Sequence, residues 1–381
     1  MNIKYLIALV IGFFVVSISF LLNILFSLNL RFGVVYSGRV GHLCVNVDSY
    51  LSLRKENEIA IFGFEKNIAN KEIFNLWLSQ KNIYFSKFGT YGYLFLKKFA
   101  NKSKMYISWD EYNPKNVNPF ISKKNIVLTK NFLKKGKKIL LKYRINKPYI
   151  CLHNRDEKYL NLRGGDGNDH LYRNHDFEKY NSSINFLLKK NYCVVRVGRN
   201  VEKNFIKKNK NFISMIDDRS NDFNDLFLIS QSKFLVSQTS GVANISALFR
   251  KKQLLINVMP FNLREFVEFP AGSLFIPKKL YNLKKKRLLK LHEICSLKYS
   301  LHKKNFFKKR GLKVIQNTEK EIKHAIEEML KLSNNKKINY NNKLQEKFWN
   351  SMTDKHGVKI IRQDSKINIC NSFLKLNKKL I

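Results

Sequence analysis

The chain has 381 residues and a mass of 45.0 kDa, enough for two domains with short terminal segments. Its 71 lysine and arginine residues outnumber 28 aspartate and glutamate residues, giving a formal net charge of +43. This charge favours a phosphate-bearing partner: nucleic acid, anionic lipid or a charged small molecule. However, the lysines accompany asparagine and isoleucine, as an AT-rich genome would encode, and no recognition helix, RNP motif or zinc-finger spacing occurs. The sequence therefore argues against nucleic acid as the partner.

The cysteines predict neither a disulfide framework nor a zinc site. They are scattered, odd in number and form no Cys-x-x-Cys pair or metal-ligand spacing with histidine. Reduced thiols, as in the cytosol, are the expected state. The five positions are Cys44, Cys151, Cys193, Cys295 and Cys370.

The segment of residues 5–30 contains no charged side chain. A helix of this length is sufficient to cross about 30 Å of hydrocarbon, so residues 1–31 are predicted to form a transmembrane or membrane-anchoring helix. A cleavable signal peptide is the alternative, but the apolar run is too long and no small-x-small site follows. Because Lys4 precedes the run and many lysines follow, the catalytic portion is expected on the cytoplasmic side of the inner membrane. Asn23 and Asn29 leave a shallow or re-entrant insertion open.

Beyond this segment, strand and helix patterns alternate in chain order. In the first half, the predicted strands are residues 32–37, 58–64, 82–86 and 105–109, and the predicted helices start after the turn at 38–42 and cover 69–80 and 128–145. In the second half, the predicted strands are residues 149–153, 192–197, 212–216, 233–237 and 253–258, and the predicted helices are 176–190, 222–231 and 242–249. Asn191 is expected to end the first of these helices in the left-handed conformation.

This alternation predicts an α/β fold with mostly parallel sheets covered on both faces. The predicted domains are 32–145 and 146–335, followed by a helical tail, 336–381, that packs back on them. Ligands of doubly wound sheets bind at the carboxyl ends of the strands. The residues at those ends of the second domain are therefore the candidates for ligand binding.

Arginine is frequent at these strand ends, and its planar fork suits bidentate binding of phosphate. The candidates for substrate binding are His153, Asn154, Arg155, Arg196 and Arg199. Arg173 and Asn174 lie in a long Gly- and Asp-rich loop, residues 159–176, where they either anchor the loop or contact ligand. His153, His170 and His175 share no metal-ligand spacing, so no metal is predicted.

The stretch SQTSGVANISALF, residues 237–249, ends a predicted strand and opens a helix. The first amides of a helix lack intrahelical acceptors and attract an anion. Thr239 or Ser240 can cap this helix, and Gly241 lets a diphosphate approach the backbone. The alternative is that any strand-to-helix turn favours Ser, Thr and Gly.

The turn after the first strand, GRVGH, supplies the candidates Gly38, Gly41 and His42. His42 is expected at the mouth of a cleft between the domains, where it could remove a proton from an acceptor hydroxyl. Capping of the following helix is the equally simple alternative.

Several segments resemble a family of bacterial glycosyltransferases associated with surface-polysaccharide synthesis. They are HNRD, HLYRNHDFEKY, YCVVRVGRNV, the run from 222 to 261, IPKKL, QEKFWN and FLKLNKKLI. The resemblance covers residues 145–380 well and the first half only through GRVGH. One departure is Val242, since no proline stands at the helix start where the family pattern often has one.

The resemblance implies a GT-B fold, in which two Rossmann-like domains face each other. The second would hold the nucleotide-sugar and the first the acceptor, with no cofactor and no essential metal. The implied activity is transfer of a sugar to a membrane-associated glycan or lipid-linked acceptor. Arg155, Arg199 and the amides of Ser240 and Gly241 would then stabilise the departing diphosphate, and Asp156 or His42 would be the general base.

Two alternatives remain open from the sequence. The chain could be a non-catalytic, basic protein that binds a membrane surface or nucleic acid, and its binding would then fall steeply with salt. Alternatively, it could transfer a phosphate-linked group, which the mass of the product would reveal.

Overall fold

The structure is a computed structural model that describes residues 2–108, 124–155, 158, 171–199, 205, 207–216, 222–259, 261, 269–298, 305–353, 356–357, 359 and 367–381. The chain divides into two compact units, Met1–Val127 and Leu128–Ile381. This boundary precedes the position expected near residue 145, because the helix Lys130–Lys142 packs within the second unit. There the ring centroids of Phe132 and Phe223 are 4.8 Å apart.

The first unit contains a three-stranded parallel sheet, ordered β1-β2-β3 within the described residues. The strands are β1 (Asn29–Val35), β2 (Glu58–Phe64) and β3 (Ile83–Phe85). The helices are α1 (Ile3–Leu25), α2 (Val40–Leu53), α3 (Lys71–Leu78) and α4 (Lys87–Phe99). The strand predictions are confirmed within a few residues, except for the strand expected at 105–109. Of its described residues, 105–108, Tyr106 forms an isolated bridge to Phe32.

Two features of this unit differ from the sequence prediction. The sequence pattern does not predict α4, whose glycines lower its helix propensity. Helix α1 ends at Leu25, so residues 29–31 of the predicted anchor instead begin β1. Helix α1 is long and apolar enough to cross a membrane, with a mean hydropathy of 2.7, a property that signal sequences and buried core helices share.

The second unit contains a parallel sheet that has seven strands in the described residues, ordered β13-β9-β8-β7-β4-β5-β6. Its strands are β4 (Tyr149–Leu152), β5 (Cys193–Arg196), β6 (Phe212–Ser214), β7 (Leu235–Ser237), β8 (Gln253–Val258), β9 (Leu274–Pro277) and β13 (Asn368–Ile369). Strands β4 and β8 are buried at every position, as expected for the central strands of a sheet covered on both faces. A small antiparallel sheet consists of β10 (Lys279–Asn282), β11 (Arg287–Leu288) and β12 (Leu312–Ile315).

The helices of the second unit complete an α/β arrangement. They are α5 (Lys130–Lys142), α6 (Asn181–Lys189), α7 (Asp222–Gln231), α8 (Gly241–Leu248), α9 (Leu291–Cys295), α10 (Phe306–Lys309), α11 (Glu319–Ser333), α12 (Lys343–Ser351) and α13 (Asn371–Leu376). The helix predicted at 176–190 begins instead as a 3₁₀ turn, Phe177–Tyr180, followed by α6. The left-handed conformation of Asn191, with φ 63°, confirms the predicted helix end.

Two strands of the large sheet are additions to the predicted set. Strand β9 lies between β8 and β13, and β13 comes from the segment expected to be a helical tail. Residues 336–381 therefore contribute a strand to the sheet as well as helices α12 and α13. A two-residue strand carries too little pattern to be predicted from sequence.

The packing of α5 on α7 gives a test of the unit boundary. A Cβ atom on Gly136 would lie 1.9 Å from Cε2 of the buried Phe227 ring. We expect Gly136→Ala to lower the free energy of unfolding by about 1–2 kcal/mol, because overpacking exceeds the gain in helix propensity. Urea denaturation measures this change. The exposed neighbour Lys137→Ala is the control and should change stability by less than about 0.5 kcal/mol; equal effects would contradict the packing.

Candidate functional site

The carboxyl ends of β4, β5 and β7 lie side by side in the second unit, because these parallel strands are neighbours in the sheet. The residues that follow them come together there, as the sequence predicts. His153, Asn154 and Arg155 follow β4, Arg199 follows β5, and Thr239 and Ser240 follow β7.

His153 is buried and neutral. Its Nδ1 lies 3.2 Å from the carbonyl oxygen of Val197. Since that oxygen can only accept, Nδ1 carries the proton and Nε2 carries the lone pair. Burial, opposed by this hydrogen bond, lowers the pKa of His153 to about 4. Gly198 adopts φ 109°, and a Cβ there would approach Nδ1 of His153 to 2.7 Å. Only glycine at position 198 therefore leaves room for the His153 ring.

Asn154 is held by Arg196 from inside the sheet. Nη2 of Arg196 donates to Oδ1 of Asn154 at 3.1 Å, and the guanidinium lies 3.9 Å from the centroid of the Phe177 ring. Arg196 has no exposed surface. The structure therefore places this predicted substrate-binding residue beneath the site, where it orients Asn154.

Arg155 is fixed at both its backbone and its side chain. Its amide donates to Oε1 of Gln238 at 2.7 Å, and its Nη1 donates to Oδ1 of Asn174 at 2.7 Å. A bond to a neutral oxygen positions a guanidinium and leaves its formal charge in place. Arg155 and Asn174 were both predicted site residues, and the structure brings them into contact.

Lys278 is a further cation that sequence reasoning missed. It follows β9, is 1% exposed, and donates from Nζ to the carbonyl oxygens of Tyr172 and Asn174 at 2.8 and 2.6 Å. Burial first, and the charge of Arg155 second, lower the pKa of Lys278 to about 7. Its position after the strand Leu274–Pro277 is the signal that could have identified it.

The first turn of α8 lies next to a third cation. Nη2 of Arg173 donates to the carbonyl oxygen of Thr239. Ser240 is the N-cap residue, yet its side chain makes no capping hydrogen bond, and its buried Oγ has no partner within the described residues. The predicted cap is thus not formed, and the helix begins at Gly241, one residue earlier than expected. The first amides of α8 have no acceptor within the helix.

Four side chains that the sequence did not single out for binding join these loops. The hydroxyl of Tyr180 donates to the carbonyl oxygen of His153 at 3.1 Å, and Nε2 of Gln238 donates to that hydroxyl at 3.3 Å. His175 packs edge-on against Tyr180, and Nδ2 of Asn257 lies 2.9 Å from its Nδ1. Burial, and then the charge of Lys278, lower the pKa of His175 to about 3, so it too is neutral.

The other residues considered in this unit have a structural partner or lie outside the described residues. Arg199 forms an ion pair with Asp222 of α7 at 2.8 Å, which gives it a structural partner. Asp156 and His170 lie outside the described residues. In the part of the chain that the structure describes, no group of three or more His, Cys, Asp or Glu side chains could hold a metal ion.

The turn after β1 in the first unit holds the remaining candidates. The backbone N–H of Gly38 donates a hydrogen bond to Oε2 of Glu65, so this amide is already paired with a carboxylate of the same unit. Gly41 and His42 belong to the first turn of α2 rather than to the loop. His42 is exposed and its ring centroid lies 5.7 Å from that of Tyr36. The surrounding protein and Arg39 lower the pKa of His42, while Glu65 acts in the opposite direction.

No protein-family model and no curated protein match the sequence. Among solved structures, the chain is similar to a glycosyl transferase family 9 protein from Veillonella parvula, at 10% identity and a TM-score of 0.42, covering 65% of this chain and 85% of that one. It is also similar to the ADP-heptose lps heptosyltransferase II of E. coli, at 11% identity and a TM-score of 0.41, covering 65% and 90%. With TM-scores below 0.5, these similarities identify neither the family nor the substrate of this chain.

The buried position of Lys278 predicts a pH-dependent contribution to stability. Its pKa is about 7 in the folded chain and 10.5 as the ordinary value, so between these pH values only the unfolded chain holds the proton. Unfolding then takes up a proton, and the free energy of unfolding rises with pH by up to about 1.4 kcal/mol per pH unit.

Urea denaturation from pH 7 to pH 10 measures this effect as the difference between wild type and Lys278→Met. We expect wild type to gain stability relative to the variant as the pH rises. Lys379→Met, which removes an exposed lysine, is the matched control. A difference between wild type and Lys278→Met that is independent of pH would contradict the burial of this lysine.

Proposed function

We propose that the second unit binds the diphosphate of a nucleotide-sugar and that the protein transfers the sugar to a glycan acceptor. The observation that carries this proposal is the convergence of Arg155, Arg173 and Lys278 beside the first turn of α8. The guanidinium of Arg173 donates to the carbonyl oxygen of Thr239, which links this cation to the helix start. Arg155 and Lys278 share Asn174, the next residue in the chain after Arg173, as an acceptor.

A diphosphate fits this arrangement chemically. Guanidinium groups bind phosphate oxygens in pairs, and a helix N-terminus presents amide protons to the same anion. Ser240 adds a buried hydroxyl that can donate there. The proposed nucleotide-sugar site also includes His153, Asn154 and Arg199. To bind the ligand, Arg199 would have to break its ion pair with Asp222.

The same groups would assist the reaction. When the bond from the sugar to the diphosphate breaks, negative charge develops on the leaving oxygen. Arg155 and the amides of Ser240 and Gly241 would stabilise that charge, because they are fixed before the reaction begins. In this proposal fixed cations supply the electrostatic stabilisation, so transfer is metal-independent.

The acceptor side is proposed for the first unit. His42, together with Gly38 and Gly41, would contact the acceptor, and either His42 or Asp156 would take the proton from its hydroxyl. His42 suits this role because desolvation by the surrounding protein, and then the charge of Arg39, lower its pKa and so favour the form that can accept a proton. The acceptor is proposed to be membrane-associated and the protein to lie at the inner membrane, with its catalytic portion in the cytoplasm. The length and apolar character of α1 are compatible with membrane association.

Arg155→Ala should reduce turnover roughly a hundredfold, because it removes one fixed donor from the departing diphosphate. The donor is first identified from the rise in melting temperature with UDP-, GDP-, ADP- and CMP-sugars, since a ligand of the native state stabilises it. Transfer is then followed by product mass, which also reveals a phosphate-linked group if that is what moves.

Arg144→Ala is the matched control. Arg144 is exposed and precedes β4, so it lies toward the opposite edge of the sheet, and its loss should leave turnover within about twofold of wild type. Wild-type turnover by Arg155→Ala would refute its assignment. A chain that responds to no nucleotide-sugar, yet binds membranes or nucleic acid with a steep salt dependence, would favour the non-catalytic alternative.

A further inference from the structure

Helix α1 has two faces with different surroundings. One stripe is buried within the first unit and contains Ala8, Leu9, Gly12 and Ser19. The other face is apolar and exposed, with Ile3 at 74% and Leu25 at 71% exposed fraction. Further exposed side chains on it include Ile7, Phe14, Ile18 and Leu21. An exposed apolar surface of this extent marks a site of contact with a membrane or a partner.

The buried stripe packs closely against α4. A Cβ on Gly12 would already lie 2.4 Å from the carbonyl oxygen of Tyr91, so Gly12 allows the two helices to touch. The ring centroids of Phe13 and Phe95 are 5.7 Å apart. In addition, Val15 and Val16 pack against the core cluster of Phe32, Leu96 and Met105. Helix α1 is therefore part of the core of the first unit, not a separate anchor.

A polar contact joins the other end of α1 to the sheet. Oδ1 of Asn23 accepts from the amide of Leu30 at 2.8 Å, and its Nδ2 donates to the carbonyl of Leu30 at 3.4 Å. The next residue of β1, Arg31, forms a buried ion pair with Glu58 at 3.1 Å. The helix is thus fixed to the body of the unit in its middle and near its end.

This attachment conflicts with a helix that spans the bilayer. A spanning α1 would carry α4 and the start of β1 into the hydrocarbon, including Lys97, Lys98 and the ion pair of Arg31. Charged groups are unfavourable there, and a sheet with open edges does not occur in lipid. We propose that α1 instead lies along the surface of an anionic bilayer, with its exposed face in the acyl region and the rest of the first unit outside it.

The residues beside α1 fit the headgroup region of such a bilayer. Nζ of Lys98 lies 5.6 Å from the ring centroid of Tyr5 and 5.1 Å from that of Phe99, and Nζ of Lys97 lies 5.8 Å from that of Tyr93. Lysines combined with aromatic rings are typical of helices at a membrane interface. Positive side chains at this depth attract anionic lipid. A bilayer rather than a second protein is therefore the proposed partner of the exposed face of α1.

The consequence is that both ends of α1 lie on the same side of the membrane. This inference rests on contacts within the first unit and is independent of the proposed transferase activity. The cysteines make it testable, since all five are buried and should react slowly with added reagents.

The test uses full-length protein in bacterial spheroplasts, with single substitutions Lys4→Cys, Ser27→Cys and Lys375→Cys. All three positions are exposed, and Lys375 reports the side on which the second unit lies. A membrane-impermeant maleimide is added before and after permeabilisation. We expect all three cysteines to react under the same condition in membrane-bound protein. Reaction of Lys4→Cys and Ser27→Cys from opposite sides, or recovery of the protein in the soluble fraction, would overturn the proposal.

The lipid contact itself predicts a local charge effect. Replacing Lys97 and Lys98 by glutamine should weaken partitioning to vesicles containing phosphatidylglycerol by about fivefold per lysine, hence about 25-fold together. Flotation of the vesicles measures bound and free protein.

The matched control is the double substitution of Lys378 and Lys379 by glutamine, which removes the same charge from exposed positions in the second unit. It should change partitioning by less than about twofold. Equal losses of partitioning in the two double variants would show that the overall charge of the protein binds the lipid. Unchanged partitioning after substitution of Lys97 and Lys98 would show that these two lysines do not contact the lipid. Either result would overturn the assigned surface.

Discussion

The site in the second unit depends on holding like charges together at one edge of a parallel sheet. Lys278 is buried next to Arg155, and both its burial and this neighbour disfavour its charged form. The carbonyl oxygens of Tyr172 and Asn174 hold the ammonium group in place, and the side chain of Asn174 holds the guanidinium. Because these acceptors are neutral, they position the cations without cancelling their charge. The fully buried strands β4 and β8 provide the stable framework that such an arrangement requires.

The histidines of this edge contribute hydrogen bonds rather than charge. Burial lowers the pKa of His153 to about 4 and that of His175 to about 3, so both are neutral near pH 7. His153 donates from Nδ1 to Val197, which leaves its Nε2 as an acceptor. The positive potential of the site therefore comes from arginine and lysine, and among the described groups that form it, Lys278 is the one whose charge changes near neutral pH. An anion bound there would favour the protonated lysine, which couples binding of a diphosphate to uptake of a proton.

The sequence predicts the edge of the sheet better than the roles of its residues. Alternating apolar runs locate β4 to β8 within a few residues, and parallel pairing then places His153, Arg155 and Ser240 at one edge. Composition alone does not show that Arg196 is buried against Phe177. Whether the side chain of a strand residue is buried or faces a ligand depends on the elements that pack on the sheet. Lys278 escapes prediction for a related reason. It follows β9, whose short apolar run is recognised as a strand only through its pairing with β8.

Hydropathy at the N-terminus does not reveal tertiary contacts either, because it depends on the residues of α1 and not on what packs against them. The run of residues 5–30 is compatible with spanning a bilayer, whereas Gly12 against Tyr91 and Asn23 against Leu30 fix the helix to the unit. An in-plane helix has a functional consequence, because β1 starts directly after α1 and its seven residues extend roughly 20–25 Å. The turn with Gly38 and His42 follows that strand. A lipid-linked acceptor could therefore reach His42 while its lipid stays in the bilayer, which joins the membrane contact to the proposed chemistry through a single strand.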